Sequence, residues 1–306
     1  MRRYAFTMLE LIFVIVIMGI LAKFGVEFLT QAYNNFIFSS INNKLQAQSS
    51  LALESVAAKL QYRIKDSVIA RNSTTFNDFV AIGSSPGGAN YDILEWVGSD
   101  IDGYRGNSRP NWSGIIDLDA SSATTLNSPE TNTTAINDFI NVLSYTNSGI
   151  ANAALYFIGS DNDILSGYGW DGIALTDHNN SVMHRINATG NQNEFQSGIG
   201  ADFSGVDVYE YYQLAWTAYA VGITDYNIGV NAGTNTGTLT LFYDYQPWEG
   251  DTYLAQNDGT ETKSEILMEN VSTFRFKSIG SIIKIQICVN SDVVEDYSLC
   301  KEKTIF

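Results

Sequence analysis

The apolar positions of this chain fall into three regimes. Residues 11–22 form an uninterrupted apolar run, and the wider stretch 6–22 is broken only by Thr7 and Glu10. Phe24, Val26, Phe28 and Leu29 extend the run. The segment 6–30 is therefore long enough to cross a bilayer, which takes about 20 predominantly apolar residues. Lys23 and Glu27 then fall near its outer boundary. From Thr30 to Arg71 the chain has neither proline nor glycine. Here Ile37, Ile41, Leu45, Val56, Leu60, Ile64 and Val68 recur largely at three- and four-residue spacing, which marks one sticky face of a helix. The pattern predicts a single helix over 6–70, about 95 Å long at 1.5 Å per residue. Its first part (6–30) is apolar all round, and its continuation (31–71) is amphipathic.

The third regime, 72–306, reads as a mostly β head. Short β-prone runs at 92–97, 114–118, 154–158, 237–245, 273–278 and 281–289 stand between turn signals. Residues 83–88 and 229–237 read as loops. Segments 134–145 and 208–221 fit short helices or strands, and periodicity does not decide between them. Polar stretches at 120–133 and 187–206 read as surface decoration. The fold class predicted is α+β: a long N-terminal helix followed by an enlarged, mostly antiparallel β head.

Charge changes this picture. The chain of 306 residues holds 17 Lys+Arg against 33 Asp+Glu. Residues 72–262 hold three basic groups (Arg105, Arg109, Arg185) against 23 acidic ones, whereas the segments on either side are balanced or slightly basic. The acidity belongs to a middle block of the head, read as an insertion. Such a surface disfavours nucleic acid as a partner, because phosphate binding needs clustered Lys and Arg. It suits a solvated, extracytoplasmic face. Two cysteines exclude a disulfide-dense scaffold and a four-cysteine zinc site.

The N-terminus carries the sharpest chemistry. Arg2 and Arg3 precede the apolar run, and Glu10 lies inside it. A carboxylate within an apolar segment costs several kcal/mol unless paired or protonated, so it marks a functional position. A cut between Ala5 and Phe6 would create an amine that a neighbouring subunit could offer to Glu10. Arg2-Arg3, the Ala5–Phe6 junction, Thr7, Leu9, Glu10 and the run 11–22 together resemble the leader and assembly segment of the type IV pilin and type II secretion pseudopilin superfamily. Ala5 stands where that family usually has Gly, and Glu27 where many members carry Pro, so the helix kink of those relatives is not implied. The resemblance covers roughly the first 30 residues and, more loosely, the last 45.

That resemblance implies a leader (1–5) removed by a prepilin peptidase on the cytoplasmic side, N-methylation of Phe6, and assembly guided by Glu10. It implies a single-pass inner-membrane protein with its head outside the cytoplasm. Its partners would be other pilin or pseudopilin subunits and the inner-membrane assembly platform. Cys288 and Cys300 enclose 11 residues near the C-terminus. A bridge between them (a cystine loop, 288–300) resembles the loop that staples many pilin heads, and two free thiols are the alternative. Closing such a loop stabilises by about 3 kcal/mol in the chain-entropy model.

Other chemistry is sparse. His178 and His184 are spaced i, i+6 in a polar stretch and match no His-Glu-x-x-His pattern. There is no nucleophile elbow and no Walker A loop, so no enzymatic activity is expected. Asp100 and Asp102, and Asp161 and Asp163, place oxygens at alternate turn positions as calcium takes them, without the full EF-hand pattern. Turn-forming aspartates are the alternative reading. Tyr209, Tyr211, Tyr212, Trp216, Tyr219, Tyr243, Tyr245 and Trp248 fit either core strands or a binding patch. Two functions follow. One is a structural, prepilin-like subunit, in keeping with a bulky head as a minor one. The other is a tip-located adhesin whose head recognises a surface or a secreted substrate.

Overall fold

The computed structural model describes residues 7–86, 90–160, 163–229, 232–294 and 297–306. The first helix, α1 (Met8–Leu60), is 53 residues long, about 80 Å at the standard rise. It then ends, ten residues short of the expected boundary. Arg63 folds back and donates from Nη1 to the Leu60 carbonyl (2.8 Å), closing the last turn, and its other nitrogen reaches the Ser281 carbonyl. Ile64 and Val68, which share the helical spacing, are instead buried on either side of the short turn that leads into the next strand. The chain continues through β1 (Ile69–Arg71), β2 (Phe79–Ala81) and β3 (Ile93–Gly98). Next come α2 (Ile101–Arg105), β4 (Thr125–Asn127), α3 (Thr133–Leu143), β5 (Ala154–Phe157), β6 (Met183–Ala188), β7 (Glu194–Ser197) and β8 (Tyr212–Ala215). The last strands are β9 (Thr217–Thr224), β10 (Gly237–Tyr245), β11 (Lys263–Ile279), β12 (Ile282–Asn290) and β13 (Ser298–Ile305).

The strands form two antiparallel sheets. Eight of them run in the order β13-β12-β11-β10-β9-β3-β1-β2, and five in the order β4-β7-β6-β5-β8. β11 is long enough to pair with β10 along its first half and β12 along its second, and the register shifts around Asn270 (φ +58°). Such a bulge raises the local twist and bends the strand.

Alternation along the strands builds three layers. Leu94, Trp96, Val221, Leu239, Ile285 and Ile287 point to one face and pack on Leu45, Leu53, Val56 and Leu60 of α1. Ile69, Ile93, Val97, Ala218, Ala220 and Tyr245 point to the other and pack on Tyr156, Trp170, Val182 and Met183. The five-stranded sheet has its own core of Ile136 and Ile140 from α3 with Leu155, Phe157, Phe195 and Leu214. The α+β architecture is thus a helix and a five-stranded subdomain on opposite faces of one large sheet.

This arrangement corrects several sequence expectations. The acidic block 72–262 is not one structural unit, because β2, β3, β9 and β10 of the large sheet lie within it. The segment standing outside that sheet is 99–216, which holds 14 acidic and three basic residues. Residues 114–118 make only isolated bridges, Ile115 to Tyr211 and Asp117 to Asn127. Gly114 sits at φ +76°, and Asp117 turns its carboxylate back onto the amides of Asp119 and Ala120. Segment 134–145 is helical as α3, and 208–221 divides into β8 and β9, which belong to different sheets. The polar stretches 120–133 and 187–206 contribute β4 and β7 rather than decoration alone.

Candidate functional site

The N-terminal half of α1 is bare. Met8, Leu9, Phe13, Ile15, Met18 and Phe28 are all exposed, and none of the described residues of the head covers them. Burial along the helix begins only at Leu45. Among the described residues this is the one helix long and apolar enough to cross a membrane. Within this bare half Lys23 and Glu27 form an i, i+4 ion pair at 3.8 Å, well exposed, a weak contact of the kind that adds a few tenths of a kcal/mol.

Glu10 sits in the first turn and closes a capping box with Thr7. The Thr7 hydroxyl accepts from the Glu10 amide (3.3 Å), and Glu10 Oε2 accepts from the Thr7 amide (2.9 Å) and hydroxyl (2.8 Å). Two otherwise orphaned amides are satisfied, and a negative charge sits at the positive end of the helix dipole. Within one chain Glu10 is therefore held by the helix terminus, with its side chain still exposed. Ala5 and Phe6 lie outside the described residues.

Cys288 and Cys300 are joined in a disulfide and stand directly opposite each other on β12 and β13, with Cα atoms 4.0 Å apart. The bridge lies on the sheet face away from α1, because Ile285, Ile287 and Val289 alternate with Cys288 and point to the helix. β13 also ties the seated half of α1. Tyr297 donates to Asn42 (2.8 Å), Lys301 to the Gln46 carbonyl (3.0 Å), and Lys303 pairs with Glu54. The cystine hence staples the strand pair that seats the helix.

Two of the four candidate calcium aspartates, Asp100 and Asp163, accept local bonds in turns. Asp100 caps α2, accepting from the Gly103 amide (3.1 Å) and from Trp112 Nε1 (3.2 Å). Burial pushes its carboxyl up to about 6, against the opposing pull of those bonds. Asp102 is exposed. Asp163 accepts from the Leu165 amide (3.0 Å) and the Ser166 hydroxyl, which hold its carboxyl below the usual range. Asp161 lies outside the described residues. Among those described, no three His, Cys, Asp or Glu side chains gather as a metal site. At Asp100 and Asp163 the short-range bonding is that of turn-forming aspartates.

Two features had no sequence signal. His178 and His184 are both buried, their Nδ1 atoms 3.4 Å apart, with His178 Nε2 on the Ser197 hydroxyl (2.9 Å). Alternation within β6 could have flagged His184 as inward-facing, but nothing in sequence brings His178 beside it. The aromatics divide by environment. Tyr212, Tyr245 and Trp248 are core, Tyr211 is 57% exposed, and Trp216, Tyr219 and Tyr243 line a cleft with Tyr62 and Tyr145. No family model matches this chain, and no curated protein or solved structure matches it either.

Proposed function

We propose that this chain is a prepilin-like subunit, cut between Ala5 and Phe6, N-methylated on Phe6, and assembled through α1 into a type IV pilus or type II secretion pseudopilus. The observation that carries the reading is the division of α1. One continuous helix is seated on the head along one half and left bare and apolar along the other, with a lone carboxylate (Glu10) in its first turn. Exposed apolar area of this extent needs a bilayer or other helices around it. A membrane anchor needs only the apolar surface. A rigid continuation into the head, with an acidic group at the cytoplasmic end, suits a helix that moves from bilayer to bundle.

Before assembly the helix lies in the inner membrane, and the acidic, disulfide-bonded head lies outside the cytoplasm. The head carries 118 residues (99–216) beyond its large sheet. Bulk of that kind packs poorly in a tight helical array and favours a minor or tip-located subunit. Mass spectrometry of the mature N-terminus tests the reading: it should begin with N-methylated Phe6, and a start near residue 23 would refute it.

A further inference from the structure

A cleft of about 550 Å³ opens where the C-terminal end of α1 meets the 99–216 segment. Five aromatic rings line it: Tyr62, Tyr145, Trp216, Tyr219 and Tyr243. Between the rings stand Asp102, Glu265, Lys59 and Arg105, with the buried Asp100 behind them. Its size and its mix of aromatic walls with a few polar groups are those of a small-ligand site.

Three observations narrow the ligand. First, Tyr145 is 81% exposed at the cleft mouth and has φ +54°, followed by Thr146 at φ +69°. Two successive non-glycine residues in left-handed conformation are costly, and such strain is retained where the surroundings enforce it. Here Lys263 enforces it, donating to the Ser144 carbonyl (2.5 Å) and Asp244 (2.6 Å) while lying 5.8 Å from the Tyr145 ring. The ring is held outward over the opening. Second, the cations are already placed against aromatic faces. Lys59 lies 5.5 Å from the Tyr219 ring, and Arg105 lies 5.5 Å from the Tyr62 ring while donating to its hydroxyl (2.9 Å). They balance Asp102 and Glu265, which leaves the buried carboxyl of Asp100 over, beside a segment with 14 acidic and three basic residues. The surrounding field repels anions. Third, the cleft lies at the end of α1 remote from the bilayer. From Thr30 to Leu60 the helix rises about 45 Å, which carries the opening clear of the membrane.

We propose that this cleft binds a neutral oligosaccharide, its ring faces stacked on Tyr145 and Tyr243 and its hydroxyls held by Asp102, Arg105 and Lys59. Flat aromatic faces accept the apolar faces of sugar rings, and paired charged side chains both donate to and accept from hydroxyls. The net charge disfavours sialylated or sulfated glycans. The site belongs to the head alone and stands whichever way α1 is used.

The test uses the full chain in a zwitterionic detergent that carries no sugar headgroup. It is presented to immobilised oligosaccharides ending in glucose, galactose, mannose or N-acetylglucosamine, alongside sialylated and sulfated ones. A neutral member should bind saturably and change the tryptophan fluorescence, because Trp216 lines the site. Tyr145→Ala should weaken that binding about tenfold and Arg105→Ala several-fold, while Tyr145→Phe keeps it. Tyr211→Ala, at an exposed ring outside the cleft, should leave it unchanged. The proposal is overturned if no neutral glycan binds saturably, if the anionic members bind best, or if Tyr145→Ala and Arg105→Ala both bind as well as the parent chain.

Discussion

Arg71 and Glu95, on neighbouring strands β1 and β3, form a two-pronged ion pair with each side chain only 1% exposed. Nε and Nη2 of Arg71 lie 2.7 and 3.2 Å from the two carboxylate oxygens. The guanidinium also donates to the Trp170 carbonyl (2.8 Å) and lies against the Phe76 and Phe79 rings at 4.1 and 4.8 Å. Burial raises the Glu95 carboxyl and Arg71 opposes it. The pair therefore ties the large sheet to the 99–216 segment. Removing one member strands a buried charge, so Glu95→Ala should destabilise the head by about 3–5 kcal/mol in denaturant unfolding. The double change Arg71→Met with Glu95→Leu should recover much of that loss.

The two histidines make the head sensitive to acid. Burial lowers His178 to about 4 and lowers His184, with help from His178, to about 3. Both are neutral in the folded head, whereas the unfolded chain takes up protons near 6.5. Unfolding then binds protons, so their contribution is complete above about pH 6.5 and declines as pH falls toward 4. Melting temperature measured from pH 7 to 4 should drop, and His184→Phe should flatten the drop. An equally steep decline in that variant would show that other groups set the acid limit.

The cystine should matter for stability only while oxidised. Cys300→Ser should lower the unfolding free energy by about 2–4 kcal/mol under oxidising conditions. The parent chain in reductant should match the variant. Identical melting of parent and variant without reductant would show that the bridge contributes nothing.

At the N-terminus, loss of the Thr7–Glu10 capping box should fray only the first turn. Glu10→Ala should therefore leave the head's melting point unchanged while its recovery in sheared filaments falls at least several-fold. Undiminished incorporation would remove Glu10 from assembly.

Seating of the helix can be tested at Leu60, which is fully buried between α1 and the large sheet. Leu60→Ala should cost about 2–5 kcal/mol, measured by denaturant unfolding, with the larger values expected if the cavity does not collapse. A cost below 1 kcal/mol would mean that the last turn of α1 is not a packing element.

Much of the layout was legible because its signals are local. A long stretch without proline shows α1, and strand 237–245 coincides with β10. The end of α1 was not legible, because no glycine or proline stops it. The Arg63 side chain and its Ser281 partner, 218 positions away in sequence, do so. Ile64 and Val68 satisfy a helical face in the sequence, but in the structure they flank a short turn and are buried in separate cores. The division of 208–221 was hidden for a similar reason. Tyr212–Ala215 and Thr217–Thr224 are both apolar runs, and only their partners, β5 and β3, assign them to different sheets. The Tyr145 cleft joins residues from distant elements, so spacing along the chain carried no trace of it, and the six-residue spacing of His178 and His184 does not by itself show that they touch.

Gly98 and Thr217 are paired residues at the ends of β3 and β9. The path thus departs from the large sheet and rejoins it at one point, after 118 residues elsewhere. For the backbone of the large sheet, everything in between is equivalent to a hairpin turn. A lineage can lengthen, shorten or exchange that excursion without rethreading the strands around it, provided that it still covers the apolar face at Val97 and Ala218.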